Sequence, residues 1–151
     1  MSAPRSQRKS FEIATEHVAR CDPAVVMRHL LDSSQWPRWQ AEIVATVGPE
    51  RVETGDVVRG HADLLGFGVA GRASIEEVES NGFTEDVLVG VRMRVTYEVR
   101  PDEGGSLVRS RIVTEAPTGL SGRVLGWLLR RRLRSMQRTS LERLARLSEE
   151  H

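Results

Sequence analysis

"SGRVLGWLLRRRLRSMQRTSLERLARL" (Ser121–Leu147) decides how the rest of the chain is read. It contains no proline, and its apolar residues recur at helical spacing. At ~100° per residue, Leu125, Leu129, Leu133, Met136, Ser140, Leu144 and Leu147 fall within about 100° of arc, an apolar stripe suited to a core. Arg123, Arg130, Arg131, Arg134 and Arg138 fall on the opposite side. Arg132 and Arg143 lie on or beside the stripe. Each can snorkel outward along its stem or set its guanidinium near an acidic group of a ligand. Leu120, Val124, Trp127 and Leu128 lie off the core line, so the helix entry is apolar nearly all round and its back mixes Trp with Arg. About 27 helical residues span roughly 40 Å. A helix of that length can cross a seven-stranded sheet, which is roughly 30–35 Å wide at ~4.8 Å per strand.

The preceding residues supply such a sheet. "SFEIATEHVAR" (10–20) alternates with period two and predicts a strand. In "DPAVVMRHLLD" (22–32), Asp22 is a good N-cap, Pro23 a good first helical residue, and Val26, Met27, Leu30 and Leu31 form an apolar face. Pro37 then limits "SSQWPRWQ" (33–40) to a short turn or helix carrying Trp36 and Trp39. Strands are predicted over 41–47, 56–65, 67–78, 83–90, 91–100 and 106–116. The connectors "GPERVETG", Gly66, "SNG" and "PDEGG" are too short for crossover helices, so neighbouring strands must run antiparallel. The cleanest alternation is "VRMRVTYEV" (91–99). Val91, Met93, Val95, Tyr97 and Val99 share a dry face, and Arg92, Arg94, Thr96 and Glu98 share a wet one. The class is α+β.

Composition narrows the function. The 151 residues suit one domain over 10–148, with residues 1–9 expected to be a flexible N-terminus. A net charge of +1 predicts no polyanion partner. Eight arginines and one acid do crowd 123–146, but that helix already commits one side to a core, so no nucleic acid is expected. Lys9 is the only lysine and Cys21 the only cysteine, which leaves little for Schiff-base, disulfide or multi-cysteine metal chemistry. Residues 1–10 are polar, and no apolar run approaches the ~20 residues of a membrane span, so the chain reads as cytoplasmic. It carries no dinucleotide, phosphate-loop or zinc signature, and no cofactor or metal is expected.

Three stretches carry a family resemblance. "DPAVVMRHLLDSSQWPRWQ" (22–40) is similar to a first helix followed by a tryptophan-bearing turn, "VETGDVVRG" (52–60) to a Gly-led third strand, and "GLSGRVLGWLLRRRLRSMQRTSLERLARLSEE" (119–150) to a closing helix. Together they resemble the START/Bet v 1-like (SRPBCC) superfamily, which includes polyketide cyclase/dehydrase and lipid-transport proteins. The resemblance implies a helix-grip fold. In it a seven-stranded antiparallel curved sheet wraps a long C-terminal helix, with two short helices after strand 1 and a ligand cavity between sheet and helix.

Candidate ligand-binding residues follow. Trp36 and Trp39 can cap one end of the cavity or anchor their turn to the core. Phe67, Phe83 and Met93 serve equally as lining or core. Leu64, Leu125, Leu129 and Arg132 complete the set, and Tyr97 lies on the dry face, where its hydroxyl needs a partner. Aromatics make up only 5% of the chain, and Gly119, Gly122 and Gly126 stand at the helix entry, so space for a guest is plausible. His17, His29, His61 and His151 are scattered over a strand, an exposed helix face, a strand and the chain end. Only His61 is a candidate acid or base. One strand parity puts Val58, Gly60, Ala62 and Leu64 on the dry face and His61 on the wet one with Arg59 and Asp63. The other points His61 and Asp63 into the cavity.

The expected function is binding, transport or sequestration of a hydrophobic small molecule or lipid. A polyketide cyclase or dehydrase using the same cavity is the alternative, and an inward His61 would favour it. A protein-interaction module is the third class, favoured by a cavity smaller than a drug-sized ligand. The Trp127 region can pack under loops, form a homodimer contact or make peripheral contact with an anionic membrane. Met93→Arg is expected to abolish binding of an apolar fluorescent probe, and unchanged binding would place the cavity elsewhere.

Overall fold

Alternation and turn chemistry resolve into seven strands in the computed structural model, which describes residues 10–64, 66–115 and 120–150, with the side chains of 64, 120–123 and 125 outside that description. The order is β1 (Ser10–Ala19), α1 (Pro23–Leu31), a 3-10 turn (Ser33–Gln35), α2 (Trp36–Trp39), β2 (Ile43–Val47), β3 (Val57–Leu64), β4 (Phe67–Glu79), β5 (Gly82–Leu88), β6 (Arg92–Asp102), β7 (Gly105–Glu115) and α3 (Leu120–Glu149). All neighbours are antiparallel, and the sheet runs β1-β7-β6-β5-β4-β3-β2. This curved sheet with its long closing helix is the helix-grip architecture. The expectation for residues 1–9 lies outside the described residues.

Local chemistry explains the boundaries. Asp22 takes the extended geometry of an N-cap and Pro23 fills the first helical position, although the Asp22 side chain closes no cap hydrogen bond. The carboxylate of Asp32 instead caps the 3-10 turn by accepting from Ser34 N at 3.0 Å. The second strand starts at Ile43, later than the alternation suggests, because Gln40 N closes a turn on Trp36 O and Glu42 adopts a φ of +74°. The tight reversal between β3 and β4 turns on Gly66 at φ +83°, a conformation that costs glycine little. His29 was expected on an exposed helix face. It is 4% exposed, and its Nδ1 lies 2.6 Å from Gln35 Oε1. Helix α1 packs against α3, β6 and β7, and Gln35 of the 3-10 turn gives the buried imidazole a partner.

Helix α3 seals the inner face of the sheet. Its buried side chains are Leu133, Gln137, Leu141, Leu144, Ala145, Leu147 and Ser148. This band is rotated from the expected stripe toward Gln137, Leu141 and Ser148, because α1 and α2 also pack against α3. On that side the backbone N of Ala41 donates to Ser140 Oγ, and Arg20 N donates to the Glu149 carboxylate. Gln137 is the polar tie to the sheet. Its Nε2 donates to Ile13 O at 3.2 Å, Ser110 O at 2.9 Å and Ser110 Oγ at 3.0 Å, joining α3 to β1 and β7.

Position along α3 matters as much as the face. Trp127 and Ala145 are separated by five full turns at 3.6 residues per turn, so they share one angular position. Ala145 is 2% exposed and Trp127 is 59% exposed. Trp127 is therefore solvent-facing because the entry half of the helix is less covered there, not because it lies on the helix back. Gln137→Leu is expected to lower stability by about 1–3 kcal/mol in urea denaturation, since it removes the tie and leaves Ser110 without its buried donor.

Candidate functional site

An apolar cavity with two lobes lies against the inner sheet face, the larger lobe under α3 and the smaller beside the Trp36 turn. The larger, of about 90 Å³, is walled by Val87, Met93, Val95, Tyr97 and Ile112 from the sheet and by Leu133, Met136, Gln137 and Leu141 from α3. The smaller, of about 60 Å³, is walled by Trp36, Val58, Ala62, Ala73 and Val89. Both share Gln40, Ile43, Ala62, Glu85, Val87 and Val89. Together they are comparable with the ~150 Å³ apolar cavity that admits one benzene ring. They are well below the ~300–1,000 Å³ of a drug-sized site.

Glu85 is the residue that sequence reasoning missed. It stands on β5 between the inward-facing Phe83 and Val87, with Ile75 and Val95 as its cross-strand neighbours. Its residue exposure is 3%, and its Oε2 has no hydrogen-bond partner among the described residues. Taking a carboxylate out of water disfavours its charged form, and burial pushes the Glu85 carboxyl up to about 8. Tyr97 is pushed well above the usual phenol range, first by burial and then by the nearby Glu85 charge. A carboxyl in this condition keeps its proton at neutral pH and can donate a hydrogen bond or exchange the proton with a guest. A signal was present in "GFTEDVLV" (82–89), where strict alternation puts an acid in line with Phe83 and Val87. Gln137 Oε1 and Gln40 Nε2 line the larger lobe and are also buried without partners.

The sequence-derived candidates divide. Met93 and Tyr97 line the larger lobe, and Trp36 lines the smaller one. Trp39 and Phe83 sit in an aromatic cluster that fills one end of the grip. Trp36 stacks on Phe83 at 6.1 Å, Phe83 meets Tyr97 at 5.2 Å, and Trp39 meets Tyr97 edge-on at 5.7 Å. Trp36 is anchored by donating its Nε1 hydrogen to Leu30 O. Leu129 packs partly buried against the core. The side chains of Leu64 and Leu125 lie outside the described residues.

Three positions differ from or resolve the expectations. Phe67 shares the inward parity of Ala73 and Ile75 yet is 72% exposed, because it opens β4 at the hairpin tip, away from the buried part of the strand. Arg132 does not reach the cavity: its guanidinium pairs with Glu42 at the rim. His61 is exposed on the outer face with Arg59 and Asp63, while Val58 and Ala62 are buried, so the wet-face parity holds. Among the described residues no three His, Cys, Asp or Glu side chains gather into a metal-ligating group.

The raised Glu85 carboxyl links stability to pH. Its unfolded value is near 4.5 and its folded value about 8, so the folded protein binds more protons between those limits. Stability contributed by the protonated group is full below pH 4.5 and lost as pH rises to about 8. Glu85→Gln, which cannot ionise, is expected to gain on the parent protein by about 1.4 kcal/mol per pH unit across that window in denaturation series.

The family model described as polyketide cyclase / dehydrase and lipid transport matches residues 10–149. No curated protein matches the chain. Solved structures share its fold. The Zhui aromatase/cyclase from Streptomyces sp. R1128 superposes with a TM-score of 0.78 at 12% identity, over 94% of this chain and 95% of that one. A START superfamily protein from Mycobacterium smegmatis gives 0.69 at 13%, over 91% and 98%. Ara h 8.0201 gives 0.66 at 11%, over 95% and 100%.

Proposed function

This chain belongs to the polyketide cyclase/dehydrase and lipid transport family, and from that premise we propose that it binds a small hydrophobic molecule between its sheet and α3. The observation that carries this reading is the two-lobed apolar cavity with buried polar atoms left unpartnered in its walls. Apolar burial, at ~25 cal/mol per Å², supplies affinity, and the few polar groups fix orientation. The lobes favour a compact guest of about one ring. A longer lipid requires α3 or its rim contact with Glu42 to move. The cyclase alternative loses His61, which faces solvent, and keeps Glu85 as the one buried acid among the described residues. Among the described residues no helix is long and apolar enough to cross a membrane.

The small cavity also favours a second reading, a protein-interaction module whose core holds no guest. Val124, Trp127 and Leu128 are exposed on α3 beside Arg131, whose guanidinium lies 5.5 Å from the Trp127 ring centroid, and they are the surface such a partner would meet. One substitution separates the two. Val87 is in the wall common to both lobes, so Val87→Phe is expected to weaken binding of a single-ring apolar probe more than tenfold, with circular dichroism unchanged. If the parent protein binds no such probe by calorimetry or ligand-observed NMR, the interaction module becomes the better reading.

A further inference from the structure

We propose that the cavity selects apolar molecules bearing a protonated amine, with the Glu85 carboxylate as counter-charge. This rests on the cavity being a ligand site and names the chemistry it takes. Two buried acceptors in the larger lobe await a donor. One is Glu85 Oε2. The other is Gln137 Oε1, whose assignment is secure because Nε2 on the same amide faces the carbonyl oxygens of Ile13 and Ser110, which only accept. Among the described residues, Gln40 Nε2 is an unpartnered donor there, beside the protonated Glu85 carboxyl.

The charges around the cavity point the same way. Glu85 lies between Ile75 of β4 and Val95 of β6, and Tyr97 is the other titratable group inside. Glu42 at the rim is already paired with Arg132 of α3. Among the described residues no Lys, Arg or His lines the larger lobe. Arg59, His61 and Arg72 border the smaller lobe, but all three are exposed at outward positions of β3 and β4. A carboxylate ligand would therefore meet at most the Gln40 amide and the Glu85 hydroxyl in a low-dielectric site without a described cation, which costs free energy. A neutral hydrocarbon would leave the acceptors unfilled. An ammonium brings donors and the opposite charge, and it draws Glu85 into its ionised form. Binding of the ammonium form at neutral pH then releases one proton from Glu85 to solvent.

Three probes of nearly equal size test this: benzylamine, benzyl alcohol and benzoate, titrated calorimetrically at pH 7 into the full chain and into Glu85→Gln. The amide keeps the shape and a hydrogen-bond donor but cannot carry charge. Benzylamine is expected to bind the parent at least tenfold tighter than benzyl alcohol, with benzoate weakest. Its heat should vary with buffer ionisation enthalpy as proton release requires. Glu85→Gln should remove the tenfold preference and the proton release while still binding benzyl alcohol. Equal binding of benzylamine and benzyl alcohol to the parent, or a preference that survives in Glu85→Gln, overturns the amine assignment and leaves the cavity as a ligand site. No binding of any probe overturns the cavity reading together with it.

Discussion

Burial of α3 against the inner face of the sheet is the constraint on which everything else depends. A seven-stranded antiparallel sheet with one dry face cannot stay open to water. The helix covers it with Leu133, Leu141, Leu144 and Leu147, and Gln137 secures it by donating to backbone on β1 and β7. The order of elements follows from this. β1 pairs with β7, which brings the start of the chain beside the last strand, and α1 and α2 then close over the far half of α3. Both the cavity and its smallness are consequences of the same packing. A straight helix leaves room against a curved sheet, and the cluster of Trp36, Phe83, Tyr97 and Trp39 takes up one end of that room.

Glu85 stands out within that arrangement. Several carboxylates on the wet face pair with arginines, as Glu12 does with Arg111, Glu16 with Arg109, Asp86 with Arg92 and Glu76 with Arg94. Such exposed pairs contribute little stability each. Among the described residues Glu85 has no such partner, and it lies among apolar side chains, a placement that disfavours folding at neutral and higher pH. Burying it unpaired is the arrangement expected of a site kept for chemistry or recognition rather than for stability.

Much of the candidate site was legible through strand parity. The alternation of "VRMRVTYEV" places Met93 and Tyr97 inside, and "VVRGHADL" (57–64) places His61 outside, because side chains in a strand must alternate between faces. The same rule applied to "FTEDVL" (83–88) puts Glu85 inside, against the expectation that charged residues face water. Parity alone failed at Phe67. Its inward position lies beyond the covered part of the sheet, so it meets solvent.

The sequence by itself determined what covalent geometry and local turn chemistry control. Those are the strands and their faces, the antiparallel order imposed by short connectors, and the single long helix with an apolar side. Tertiary structure alone decided how far that helix's cover extends. Trp127 and Ala145 share one line on α3, yet one is exposed and the other buried, and Arg130 is exposed on the same line as buried Ser148. The periodicity of a helix sets direction and carries no record of what lies opposite each turn. That depends on contacts between residues about a hundred positions apart, such as Ala41 with Ser140 and Ile13 with Gln137.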